Sequence, residues 1–115
     1  MSDFLFLYRN SSSNSPGTPQ DMQKQMEKWG NWLNELQTKG HIKDPGHPLE
    51  RTGRVVKGNG KGITDGPYTE VKDVIGGYTL VQAKDLSQAV SLSAGCPIFN
   101  VGGEVEVRPV MQGPM

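Results

Sequence analysis

The chain opens on Phe4-Leu5-Phe6-Leu7-Tyr8, a run in which both alternating sets are apolar: Phe4, Phe6 and Tyr8 on one side, Leu5 and Leu7 on the other. A strand apolar on both faces belongs in the middle of a sheet. Asn10 to Pro19 is rich in Ser, Asn, Gly and Pro and reads as a loop. The period then changes. Met22, Met26, Trp29, Leu33 and Leu36 follow at intervals of 4, 3, 4 and 3, the stripe of an amphipathic helix. Thr18 is placed to cap it, Pro19 suits its first position and Asp21 suits its positive end, while Gly40 closes it. Gly30 costs about 1 kcal/mol against Ala inside a helix, so close packing is expected there. The stripe is too short for a coiled coil and predicts one helix laid on a sheet.

His41 to Glu50 reads as a loop punctuated by Pro45, Gly46 and Pro48. Thr52 to Val56 is predicted as a strand, Lys57 to Gly62 as a hairpin turn, and Asp65-Gly66-Pro67 as a second turn that leaves extended. Ile75 to Ala83 is the next strand, with Tyr78, Leu80 and Gln82 on one face. A shorter helix follows, with Asp85 and Gln88 as a capping box, Leu86, Ala89, Val90 and Ala94 as its apolar side, and Gly95 and Pro97 as its stop. In the last strand, Glu104 to Val110, Val105 and Val107 oppose Glu104, Glu106 and Arg108. The order β-α-β-β-α-β predicts an α+β, ferredoxin-like domain with an antiparallel sheet. Helices cover one face of such a sheet. The other face, expected to carry the aromatics of the first strand, needs a ligand or another subunit.

Length and composition narrow the class. At 115 residues the chain is one domain, residues 1–115. Gly and Pro number 15 and 8 without a period, which excludes a collagen-like repeat and predicts turns. Twelve basic residues balance 12 acidic ones, so no overall field attracts nucleic acid or an anionic membrane. No apolar run approaches the roughly 20 residues of a membrane span, and no secretory leader opens the chain. One cysteine, Cys96, makes no internal disulfide, and the expected compartment is the reducing cytoplasm.

Asp65-Gly66-Pro67-Tyr68, continuing through Glu70 and Lys72 to Gly76-Gly77-Tyr78, resembles the signature of the YCII-related family, DGPF type. The ending Glu106-Val107-Arg108-Pro109-Val110-Met111 is similar to that family's terminal strand, and Tyr68 stands where the motif usually has Phe. The resemblance runs from Trp29 to Met111 and is weaker before it. It implies a dimeric α/β barrel in which two ferredoxin-like sheets pack face to face, and hence a homodimer. Some relatives look enzymatic, with a His–Asp pair whose His would fall on the first helix near Trp29. Thr18 to Gly40 contains no His, so that pair does not carry over. The resemblance defines no reaction. It implies a small-molecule binding or accessory module, linked in some relatives to an alternative sigma factor pathway. The alternative is a cofactor-free enzyme, a lyase, isomerase or dehalogenase-like protein, acting by acid–base chemistry on a small cyclic or anionic substrate.

The candidate ligand-binding residues are Asp65, Glu70, Lys72, Tyr78, Glu106 and Arg108. A carboxylate beside a cation orients a substrate or moves a proton when burial shifts its pKa; the alternative is that Asp65 bonds turn amides while Glu70 and Lys72 pair structurally. If Val105 and Val107 meet the helices, Glu106 and Arg108 point to the other face, where Arg108 offers a fork for an anion or pairs with Glu106 to fix dimer register. Arg108 and the Asp65–Lys72 segment are expected at one cavity that prefers a small anion. Tyr78 and Gln82 line the same space, or Tyr78 is core. His41, Asp44 and His47 lack the spacing of a zinc site, and neither metal nor cofactor is expected. The Gly-rich run from Lys57 lacks phosphate-loop spacing. Cys96, after a helix C-terminus, is expected to be buried and unreactive, and Trp29 and Trp32 to be core.

Overall fold

The structure, a computed structural model, describes residues 1–11, 18–50, 52–58, 62–65 and 73–112. Its elements are β1 (Ser2–Ser11), α1 (Pro19–Thr38), β2 (Ile42–Asp44), β3 (Arg54–Lys57), β4 (Gly62–Asp65), β5 (Asp73–Ala83), α2 (Leu86–Ser93), a short 3-10 helix (Pro97–Val101) and β6 (Glu104–Pro109). The main sheet has the order β2-β5-β1-β6, with every pairing antiparallel. This is the α+β, ferredoxin-like arrangement, and β1 is central in it.

β1 sorts its side chains as its alternation demands. Phe4, Phe6 and Tyr8 are buried under the helices with Val81 and Ala83 of β5, Trp32 and Leu36 of α1, and Ile98. Phe6 and Trp32 stack at 6.2 Å, and Tyr8 meets the edge of Trp29 at 4.7 Å; each such pair contributes about 1 kcal/mol beyond its buried area. The aromatics of β1 therefore face the helices, contrary to expectation. The helix-free face carries Leu5, Leu7, Tyr78 and Leu80 instead, all half-buried. Strict two-residue alternation allows nothing else once the larger rings are needed for the core.

α1 starts as expected. The Thr18 hydroxyl accepts from the Asp21 amide at 3.1 Å, and the Asp21 carboxylate accepts from the Thr18 amide at 3.3 Å. Its stripe is narrower than predicted: Trp32 and Leu36 are buried, whereas Met22 is 46% and Met26 71% exposed. Gly30 has no atom within 4 Å of where a Cβ would stand, so no close packing occurs there. In α2 the buried positions are Ala89 and Ser93, and Leu86 and Val90 are exposed. Asp85 accepts from the Gln88 amide at 2.8 Å, but the Gln88 side chain accepts from Lys84, one residue before the cap.

The stretch predicted as a loop, His41 to Glu50, contains β2, which pairs with β5, and Pro48 bridges to Gly77. Three residues between polar and Pro/Gly positions are too few to show alternation. The strand predicted at Thr52–Val56 is β3, which pairs with β4 in a separate two-stranded sheet and not in the main one. The expected turn at Asp65-Gly66-Pro67 lies, after Asp65, outside the described residues.

Candidate functional site

A cavity of about 440 Å³ opens between α1 and one end of the sheet. Trp29, Leu33 and Met26 of α1 form one wall, and Tyr8, Thr79 and the Pro45–Pro48 loop form the other. Three local devices make room for it. The pairing of β1 with β5 slips so that Tyr8 faces Gly77 and Arg9 faces Ile75, leaving Gly76 as the extra residue of a bulge. A bulge re-aims neighbouring side chains and bends the strand. Gly77 then lets the loop lie against β5: a Cβ there would stand 3.1 Å from the His47 carbonyl oxygen and 3.3 Å from the Pro48 Cα. Gly46, at φ +73°, makes the turn, and a Cβ on it would collide with the Tyr78 carbonyl. The loop is fixed by Leu49 N–H to the Gly76 carbonyl, 2.8 Å, and by Gly46 N–H to the Asp44 carboxylate, 2.9 Å.

One hydrogen-bond chain crosses the sheet wall. Tyr8 Oη donates to Thr79 Oγ1 at 2.6 Å, and Thr79 Oγ1 donates to the Pro45 carbonyl at 2.9 Å. Burial pushes the Tyr8 phenol well above its ordinary range, although the Thr79 hydrogen bond pulls the other way. It keeps its proton throughout the physiological range. His47 borders the cavity with its ring 6.3 Å from that of Tyr78. No Lys, Arg, Asp or Glu is among the described residues that line the cavity. Cys96 is buried next to Ile98, and burial pushes its thiol up to about 11. Among the described residues, no group of three or more His, Cys, Asp or Glu is placed to hold a metal. Among the described residues, no helix is long and apolar enough to cross a membrane.

Tyr78 borders the cavity. Val105 and Val107 do pack on the core, so Glu106 and Arg108 lie on the helix-free face. There the Glu106 carboxylate accepts from Arg9 at 2.8 Å and from Arg108 at 3.2 Å, and these two hydrogen bonds hold it below the usual carboxylate range. Asp65 ends β4; Glu70 and Lys72 lie outside the described residues. Sequence reasoning missed Tyr8, Thr79 and Leu33 as cavity residues; Trp29 packs against the core as expected and also borders the cavity. Gly76-Gly77 was the available signal: paired glycines inside a strand mark a bulge or a close approach.

A four-stranded antiparallel sheet with helices on one face, and a cavity held between them, defines a ferredoxin-like α+β domain with an internal pocket. The chain belongs to the YCII-related domain family, matched over residues 4–113. No curated protein sequence matches it. A similar solved structure is that of 5-chloro-2-hydroxyhydroquinone dehydrochlorinase from Burkholderia phenoliruptrix AC1100, in complex with 2,5-dihydroxybenzoquinone; it is 20% identical over 95% of each chain, with a TM-score of 0.47.

Proposed function

We propose that this chain binds a small, largely apolar molecule in the cavity between α1 and the β5 bulge, and that it works as a homodimer joined through the helix-free sheet face. The cavity carries the first part. Its volume of about 440 Å³ suits a small ligand, and its walls are apolar and aromatic with a few convergent polar atoms. An unbiased thermal-shift screen should yield ligands that raise apparent stability. Trp29→Ala should weaken their binding at least tenfold while leaving the far-UV spectrum unchanged. Hits insensitive to Trp29→Ala would place the binding site elsewhere.

The dimer is supported by the half-buried Leu5, Leu7 and Leu80 on a face no helix covers. Such an interface should bury upward of roughly 1,200 Å² in total. Light scattering that reports a monomer at micromolar concentration would exclude it. The anion site of Arg108 with Asp65, Glu70 and Lys72 is a separate proposal. Arg108→Leu should abolish binding of any anion found by screening and leave the dimer intact; loss of the dimer would instead make Arg108 a structural partner of Glu106.

A second reading, a cofactor-free enzyme, is favoured by His47 alone. An imidazole at the cavity wall is the side chain best suited to proton transfer near neutral pH. Turnover of a screened ligand that disappears in His47→Gln, with binding retained, would decide for it.

A further inference from the structure

Asn10 stands two residues beyond Tyr8, on the face of β1 that turns Phe4, Phe6 and Tyr8 toward the helices. That row is aromatic until it reaches the cavity, where it changes to a half-buried carboxamide. The amide is fitted to the bulge. A Cβ on Gly76 would stand 2.7 Å from Asn10 Nδ2 and 3.9 Å from its Cγ, so the bare bulge residue leaves the room that the amide takes. The fold puts this amide to no structural use: among the described residues it has no hydrogen-bond partner. The hydroxyls of the wall are engaged, Tyr8 with Thr79 and Thr79 with the Pro45 carbonyl. His47 and Trp29 border the same cavity, and their ring nitrogens likewise have no hydrogen-bond partner among the described residues.

Resting on the cavity as the binding site, we propose that Asn10 is the side chain that reads the ligand, its amide beside Gly76 donating to the carbonyl oxygen of a small ring ketone or cyclic amide. Amide, imidazole and indole differ in what they accept, but each can donate a hydrogen, and the indole N–H only donates. An acceptor oxygen is the ligand group that all three can serve. No Lys or Arg lines the cavity among the described residues, so no fixed positive charge offsets the desolvation of a carboxylate there, and the acceptor is a neutral carbonyl. The apolar remainder of the ligand meets Met26, Leu33 and the Trp29 ring.

The test uses 1-indanone and indane, neutral bicycles of nearly equal size that differ in one carbonyl. Dissociation constants are measured by ligand-observed NMR on the wild type, on Trp29→Ala and on Asn10→Leu, which replaces the amide by an apolar group of similar size. Asn10→Leu should weaken 1-indanone about five- to tenfold, the scale of one hydrogen bond, and leave indane unchanged or tighter. Equal changes for the two probes, or a loss of 1-indanone below twofold, overturn the proposal. Gly76→Ala tests the same contact from the other side, and stands in if Asn10→Leu does not fold. It keeps Asn10 but pushes its amide, the end of a flexible side chain, off the bulge. It should cost 1-indanone a similar factor and indane little; an unchanged ratio between the probes overturns the proposal. If both probes weaken in Trp29→Ala yet change alike in Asn10→Leu, the cavity stands as the site and the role of Asn10 is refuted. Probes indifferent to Trp29→Ala, or no binding of either at millimolar concentration, refute the cavity reading and this proposal with it.

Discussion

Gly46→Ala should destabilise the protein, whereas the same change at Gly30 should stabilise it. Gly46 sits at φ +73°, where a residue with a Cβ pays about 1–2 kcal/mol. Its Cβ would also collide with the Tyr78 carbonyl, which is backbone and has no rotamer by which to yield. Relief requires the Pro45–Pro48 loop to lift from β5. That weakens the Thr79–Pro45 and Leu49–Gly76 hydrogen bonds, at about 1 kcal/mol each. The expected loss is about 2–4 kcal/mol, or a fall in Tm of roughly 8–17 °C for a domain of this size. Gly30 lies in the exposed middle of α1 with open space at its Cβ position, so Ala there should add about 0.5–1 kcal/mol. Urea unfolding of both variants, with m compared to confirm unchanged cooperativity, measures the two signs. A loss below about 1 kcal/mol for Gly46→Ala, or shifts of the same sign, would refute the role given to the loop.

Thr18→Ala removes the acceptor of the Asp21 amide and should cost about 1 kcal/mol in urea titration, with the loss recovered by Thr18→Ser. The Cys96 thiol, pushed from 9.0 up to about 11 by burial, favours the folded state fully below pH 9; that contribution is lost as pH rises toward 11, and Cys96→Ala should flatten the loss in alkaline unfolding curves. The native thiol should also resist labelling at pH 8 and react on unfolding. Glu106, held below its usual 4.5 by Arg9 first and Arg108 second, contributes above that value and loses its contribution as pH falls through its lowered pKa. A carboxyl NMR titration of Arg9→Leu should move its midpoint upward; an unmoved midpoint would remove Arg9 as the cause.

Much of the fold was legible because its local signals agree. The doubly apolar run of β1, the Thr18–Asp21 cap and the polar–apolar alternation of β6 each specify one element without tertiary help. β2 was not legible. Ile42–Asp44 is a strand because β5 offers a free edge, and a three-residue segment carries too little pattern to show it. The faces of β1 required knowing where the helices lie, and only the burial of Trp32 and Leu36 settles that. The cavity was less legible still. Tyr8, Trp29, Pro45 and Thr79 come from four separate stretches, and the Arg9–Glu106 ion pair joins residues 97 apart, so both exist only after the strand register is known. Gly76-Gly77 was visible as a motif, but its physical meaning needed the slip beside Tyr8.

The two borders of the main sheet bear on how copies of the chain can associate. At the β2 border the strand is three residues long, carries Lys43 and runs directly into Pro45, with Pro48 further on. At the opposite border, β6 alternates Glu104, Glu106 and Arg108 with its valines and ends on Pro109. A proline offers no amide to a neighbouring strand, and rows of charge resist lateral docking. Neither border is suited to templating a further strand, so lateral growth into ribbons or fibres is disfavoured at both ends. The broad sheet face carrying Leu5, Leu7 and Leu80 is the surface on which the proposed homodimer rests, and a face-to-face encounter of that kind would close after two copies.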